Sequence, residues 1–476
     1  MLHLNHHFSD LGPAFSSQGQ IKTLSGLKLS FFNKTLSEQL QIHFDDPQTL
    51  ELLLGHKPIS NAVSMVYAGH QFGGFSPQLG DGRGLLLGEV SDLDGELVDL
   101  HMKGAGPTPY SRRGDGRAVL RSSIREYLAS EAMHHLGIAS SRALALFDSK
   151  EMIYREQAEP AAMLLRTAKS HIRFGHFEYF FYQNKPEQLD QLIDYCLERH
   201  FQTTGTREEN IIVMLQSIVD KTAEMIANWQ AVGFQHGVMN TDNMSILGDT
   251  IDYGPYGFME TYDPKWVANH SDYEARYAFE RQPGVALWNL NCLFHCFSKH
   301  LARPQLVSIL SKYETKLMGY FQILIRTKLG LIKSVDQDQE LFSSLLLLLE
   351  KERIDYTCFW RNLSQMKDAQ DRSLLLENVN NKPAFEAWLE QYSQRRVQES
   401  GNWLAVRVEM LKINPKYIVR NYLAQQVIDA ALNGDYQVFE DMITVLQNPY
   451  DEHDALNYLA IAADNQQHSI CVSCSS

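Results

Sequence analysis

A chain of 476 residues with 43 Lys and Arg against 57 Asp and Glu carries a formal net charge of −14. That length favours two or three domains, or one enlarged domain. The acidic balance argues against nonspecific nucleic-acid binding and against an anionic membrane surface, but leaves room for a local basic pocket.

No apolar run approaches the roughly 18–20 residues needed to span a bilayer. The longest, Leu345–Leu349, is bounded by Ser and by Glu-Lys-Glu and reads as part of a core helix. The start, MLHLNHHFSDLG, has neither the basic and apolar regions of a signal peptide nor an Arg-rich amphipathic pattern, so a cytoplasmic location is expected.

In chain order, residues 1–60 are mixed and yield no clear element. From 61 to 118 glycine is dense. Within that stretch GLLLGEV and ELVDLHMK read as the strands of a hairpin joined by SDLDG. In the second strand Val98, Leu100 and Met102 share one face and Asp99, His101 and Lys103 the other, so Lys103 projects from a strand end away from the apolar set. The flanking loops LGDGRG (79–84) and RRGDGR (112–117) let backbone N–H groups approach phosphates, with Arg83 as a charged clamp. A plain turn is the simpler reading of each, and neither loop matches a Walker or dinucleotide motif.

Next, RAVLRSSIREYLASEAMHHLGI places Leu120, Ile124, Leu128 and Ala132 at helical spacing, with Gly137 as a cap. Glu126 on this helix either holds Lys103 near phosphates or completes a Ser123-to-Glu126 capping box. Residues 161–182, AAMLLRTAKSHIRFGHFEYFFY, read as a strand leading into a turn. Arg166 and Arg173 within them either grip an oligophosphate or lie on the surface. From about 186 the pattern is helical, with one long helix ending at Gly233. After 285 helical patterns dominate to about 464, a continuation and not a tethered module.

Between the long helix and that continuation lies HGVMNTDNMSILGDTIDYG, 236–254. Asp242, Asn243 and Asp252 are hard oxygen groups. An Asn and an Asp from two nearby strand ends would suit Mg²⁺, which completes its octahedron with water and phosphate oxygens. An Asx-rich turn is the alternative. Six cysteines are too few for a disulfide framework. Cys471-x-x-Cys474 lacks a second pair for zinc, and is either an unremarkable terminus or a reducible tail. Strands and glycines first, helices later, with the polar motif between, predict an α+β fold of two lobes around a cleft.

Read together, these parts resemble a protein kinase: a glycine loop on a hairpin, Lys103, Glu126, a loop from His236 to Asn243, and Asp252-Tyr253-Gly254. At the third position of that loop, where a kinase has its catalytic Asp, stands Val238, and Asp242 precedes Asn243 instead. That departure, with GHQFGGFSPQLGDGRG, KGAGPTPYSRRGDGRAVLRSSIREYL, RFGHFE and NPKYIVRNYLAQ, resembles the selenoprotein O family.

The resemblance implies a two-lobed protein-kinase-like fold. A nucleotide-binding lobe with an N-terminal extension would span 1–185, a helical lobe with the catalytic and metal motifs 186–300, and a helical extension 301–476. It also implies that ATP binds in a flipped orientation and that AMP passes to Ser, Thr or Tyr hydroxyls of proteins, releasing pyrophosphate. Asp242 resembles the family's proton acceptor, and Asn243 and Asp252 its ligands for Mg²⁺ or Mn²⁺. Gly80, Gly82, Arg83, Lys103, Asp115, Gly116, Arg166, Arg173 and Asp252 resemble nucleotide contacts, with Glu126 in support. A monomer acting on ATP and proteins, without nucleic acid or membrane, is expected. Uridylyl transfer, ordinary phosphotransfer and an inactive nucleotide-binding scaffold are the alternatives. The tail CVSCSS resembles the family's cysteine version. With no cysteine over 255–291, the open pairings are Cys471 with Cys474, or Cys474 with Cys292 or Cys296.

Overall fold

The computed structural model describes residues 2–377, 379–399, 402–464, 470 and 472–473. The first part of the chain supplies β1 (Ser16–Gln18), β2 (Lys28–Phe32), β3 (Val63–Met65), β4 (Gly69–Gln71), β5 (Gly74–Ser76), β6 (Gly84–Ser91), β7 (Leu97–Lys103), β8 (Ala118–Val119), β9 (Arg142–Tyr154) and β10 (Ala158–Ala168). An 8-stranded sheet runs β1-β3-β6-β7-β10-β9-β2, with β8 on β10. Its pairings are antiparallel. Strands β4 and β5 form a separate hairpin.

The expected hairpin is β6–β7, with Val90 opposite Val98 and Gly84 opposite Lys103. The Asp92 N–H donates to the Glu96 carbonyl at 2.9 Å and closes its turn. Alternation along β7 sorts its side chains between two environments. Leu100 and Met102 are fully buried and pack with Leu85, Leu87, Met163 and Leu165. Leu36 and Leu53 belong to the same cluster. They come from α1 (Lys34–Gln39) and α2 (Pro47–Leu53).

So the segment 1–60 provides the two edge strands of the sheet, β1 and β2, and two helices that cover one of its faces. Its caps were present in the sequence: Asn33 accepts from the Leu36 N–H at 3.1 Å, and Asp46 precedes Pro47 at the start of α2. Helices this short carry too few turns for periodicity to stand out.

Against the other face lies α3 (Leu120–His135), which places Ile124, Leu128 and Ala132 in one cluster with Leu146 and Leu164. The helices Asn421–Leu432 and Gln437–Gln447 pack against α3 from outside. There Phe439 meets the Tyr127 ring edge-on at 5.2 Å.

Residues 161–182 depart from the expected strand and turn. Strand β10 ends at Ala168, and α4 occupies Phe174–Tyr182. Phe174, Phe177 and Phe180 are all fully buried on this helix. Their spacing is helical, and packing on one core overrides the strand preference of aromatic residues.

Beyond α4 come α5 (Pro186–His200), α6 (Arg207–Val232) and α7 (Gln282–His295). Helix α6 is the expected long helix, opened by a Thr206–Glu209 capping box and closed by Gly233 at φ 75. Helices continue to Gln447, and those between Lys312 and Leu411 surround a second core that includes Phe359, Trp360, Phe385 and Trp388. The leucine run sits on the helix Asp338–Glu352, with Leu345 and Leu349 buried in that core and Leu347 exposed. No helix among the described residues is long and apolar enough to cross a membrane. Cys471 and Cys474 lie outside the described residues.

The polar motif is bracketed by β11 (Phe234–Gln235) and β12 (Gly257–Phe258). Neither Asn243 nor Asp252 ends a strand. Asn243 closes a single 3-10 turn, Thr241–Asn243, and Asp252 sits in coil at φ 56. The segment between them makes only isolated bridges, Arg173 with Ser245 and Ser140 with Thr250. It is too short for a ladder and is held by its neighbours.

Candidate active site

A cleft of about 580 Å³ opens between the sheet and the polar motif, lined by every residue proposed from sequence for the site except Glu126. Glu126 lies directly behind it. Lys103 ends β7 with 6% exposure, so it is not a solvated edge lysine. Its ammonium pairs with Glu126, which is 1% exposed on α3. Burial pushes the Lys103 ammonium down against the pull of Glu126. Burial likewise opposes ionisation of Glu126, but Lys103 and Arg166 hold it below the usual glutamate range. The capping-box alternative for Glu126 fails, because Ser123 instead donates to the Val119 carbonyl at 2.9 Å.

Arg166 and Arg173 are buried, not surface residues. Arg166 lies on β10 opposite His101. Its Nη1 donates to Glu126 Oε1 at 3.0 Å and to Asp252 Oδ1 at 2.5 Å. Arg173 precedes α4, and its Nη1 donates to Asp252 Oδ2 at 2.6 Å and to the Asp242 carbonyl at 3.1 Å. Burial alone would raise the Asp252 carboxyl, but Arg173, Arg166 and Lys103 override it and hold the group well below the usual range. A guanidinium has five N–H donors, and only some are used here. The Arg166 Nε is buried with no partner among the described residues.

Asp242 is 8% exposed. Its Oδ2 accepts from Gln71 Nε2 at 3.0 Å, and its Oδ1 is buried without a partner among the described residues. Burial raises this carboxyl to about 6, partly offset by the Gln71 hydrogen bond and Arg173. Asn243 Nδ2 donates to the Val238 carbonyl at 3.0 Å, which leaves its Oδ1 as the atom available to a ligand. Asp252 keeps lone pairs beyond the two it gives the arginines. The carboxamide oxygen of Asn243 and the carboxylate of Asp252 form an all-oxygen pair, which fits a hard cation such as Mg²⁺ or Mn²⁺.

At the mouth, Gly80, Gly82, Arg83 and Gly116 line the cleft. A Cβ on Gly80 would meet the Tyr110 ring at 2.6 Å, so glycine here lets two loops nest. Asp115 is drawn into a bidentate pair with Arg155 at 2.8 Å. The loop below is pinned by His236, whose Nε2 bonds the Ile251 carbonyl at 2.8 Å while its ring stacks on Trp229. Sequence reasoning passed over Gln71, Tyr67 and Arg155. The stretch AGHQFGG holding Gln71 was visible, but nothing local pointed it at Asp242, 171 positions away.

A family model described as protein adenylyltransferase SelO matches residues 1–447. A protein nucleotidyltransferase YdiU of Marinomonas sp. (strain MWYL1) is 55% identical over 473 residues, covering 99% of this chain and 100% of that one. The protein nucleotidyltransferase YdiU of Aliivibrio salmonicida (strain LFI1238) is 45% identical over 480 residues, covering 100% of this chain and 99% of the relative. With a cleft of this build and similarity along its whole length, the chain belongs to the SelO/YdiU family of nucleotidyltransferases.

Proposed function

We propose that the protein transfers AMP from ATP to a Ser, Thr or Tyr hydroxyl of a protein and releases pyrophosphate. The observation that carries this reading is the buried Asp242 Oδ1, free of any partner among the described residues, beside Asn243 in a loop whose third position is Val238. A valine can neither take a proton nor bind metal, so the base role moves to Asp242. The acceptor oxygen attacks the α-phosphorus, and its proton passes to the Asp242 carboxylate. The bond from the α-phosphorus to the bridging oxygen breaks, and pyrophosphate leaves with the electron pair. Lys103, Arg166 and Arg173 meet its growing charge through charge-assisted hydrogen bonds. Gly80, Gly82, Arg83, Asp115 and Gly116 hold the remainder of the nucleotide at the mouth. ATP then runs opposite to its direction in a kinase, within a kinase-like arrangement of a nucleotide lobe, a helical lobe and a helical extension. Asn243 and Asp252 would hold a Mg²⁺ or Mn²⁺ ion, which supplies charge neutralisation at the phosphates when bound. The working form is a cytoplasmic monomer.

The test is incubation with ATP labelled on the α- or the γ-phosphate, followed by intact-mass measurement. Label from the α-position and an adenylyl adduct are expected. Label from the γ-position with a phosphoryl adduct would return the protein to the kinases.

A further inference from the structure

The β4–β5 hairpin stands outside the main sheet, yet successive residues on it grip the loop that carries Asp242. The His70 N–H donates to Thr241 Oγ1 at 2.7 Å. Gln71 Nε2 donates to Asp242 Oδ2 at 3.0 Å. The Phe72 N–H donates to Asn240 Oδ1 at 3.2 Å and to the Tyr277 hydroxyl at 3.0 Å. From the other side, the Thr241 hydroxyl donates to Glu178, a fully buried residue of α4 that also bonds His70 Nδ1 at 2.5 Å. Hairpin and loop are therefore locked to each other and to α4.

Two details show how closely the hairpin is fitted. A Cβ on Gly69 would fall 2.6 Å from Asp242 Oδ1, so only glycine lets the strand lie beside the carboxylate. The turn has Phe72 at φ 49 and Gly73 at φ 85, both left-handed as a type I′ turn requires. A bulky residue rarely adopts that conformation, and its persistence here reflects the hydrogen bonds that hold it.

We infer that Gln71 is a positioning residue for the transfer reaction, holding Oδ2 of Asp242 so that the carboxylate keeps one orientation beside the incoming hydroxyl. The inference rests on Asp242 as the proton acceptor. A carboxylate on a single χ1–χ2 pair can turn, and a misplacement of about 1 Å at a reacting atom costs up to roughly 10²-fold in rate. The Gln71 carboxamide fixes that rotation with a neutral donor and brings no competing charge to the phosphates. During transfer the carboxylate takes the proton while Gln71 holds its orientation through Oδ2.

The experiment compares Gln71→Leu, Gln71→Asn, Asp242→Asn and the double variant Gln71→Leu with Asp242→Asn. Label from α-labelled ATP is followed into the chain itself and into casein, alongside Tm and nucleotide affinity. Gln71→Leu is expected to lower kcat by roughly 10- to 100-fold with KM for ATP and Tm unchanged. Gln71→Asn should recover part of the loss. In the Asp242→Asn background, Gln71→Leu should add nothing, since a residue acting only through Asp242 is non-additive with it. Wild-type kcat in Gln71→Leu with a slow Asp242→Asn would overturn the inference and leave the base assignment standing. So would an equal loss in both backgrounds, or a rise in KM alone. Full rate in Asp242→Asn would instead remove the base on which the inference depends. Should Gln71→Leu lower Tm, the better-tolerated Gln71→Asn decides: a kcat loss at unchanged KM supports positioning, and none refutes it.

Discussion

In the cleft, Arg166 and Arg173 divide the two oxygens of Asp252 between them while Lys103 and Arg166 share Glu126, so three cations meet two carboxylates. In the helical extension, the buried Arg420 alone faces two, Glu260 and Asp355. Both clusters are built from arginine and carboxylate, but their balances are opposite. The cleft cluster borders a cavity and holds Asp252 well below the usual range against the effect of burial. The other is closed by protein, and burial raises Glu260 to about 6 in spite of Arg420. A surplus of cations beside a cavity marks a place for an anion. A surplus of carboxylates around one arginine marks a brace, here joining the segment after Asp252 to the helix capped by Asp355 and to the start of the helix Asn421–Leu432.

The comparison breaks most sharply by removing the shared arginine of the brace. Arg420→Ala leaves Glu260 and Asp355 buried without their cation, and is expected to cost about 3–5 kcal/mol of stability. Added pyrophosphate should not restore it. A chemical denaturation curve with and without pyrophosphate reads both effects, and a variant as stable as the parent would show that the brace carries no weight.

The cleft should respond differently. Asp252→Ala removes the carboxylate between two arginines and one member of the oxygen set, so transfer should fall by at least about 10²-fold. Its Tm should fall too, but here pyrophosphate should recover part of the loss by filling the place between Arg166 and Arg173. Thermal melts at rising pyrophosphate separate the two clusters. Full transfer in this variant would end the assignment of Asp252 as a ligand.

The smallest effect concerns pH. Glu260 binds a proton more readily in the folded chain, at about 6, than at its ordinary 4.5. A raised carboxyl contributes stability that is complete below its unfolded value and is lost as pH rises through its folded one. Between about pH 4.5 and 6 stability should therefore fall with rising pH by roughly 2 kcal/mol from this group. Glu260→Gln keeps an acceptor for Arg420 and should flatten that slope. Urea midpoints across the window test it, and identical slopes in parent and variant would count against the shift.

Some of this molecule is local and could be read from residue order. Hairpin β6–β7 follows from alternation plus a Gly-bearing turn, α3 from apolar spacing, and α6 from a capping box and a terminal glycine. Lys103 and Glu126 were legible as a pair because strand and helix are neighbours in sequence and few residues separate them. Arg166 and Arg173 were ambiguous, since an arginine looks the same in sequence whether buried or exposed. Only packing places them on Asp252, 86 and 79 positions away.

The rest belonged to the tertiary structure. The aromatic run 174–182 contained a helical spacing, but its β preference competed until the core beneath Phe174, Phe177 and Phe180 decided for α4. The polar motif announced its oxygens, yet their geometry depends on His236, Arg173 and Gln71 reaching in from other elements. Sequence by itself determined which chemical groups are present and which short elements carry them, because propensity, capping and period are properties of neighbours. The fold alone decided which groups are buried, which charges share a partner and which Asp242 oxygen is left free, because burial and charge pairing depend on contacts between residues far apart in the chain.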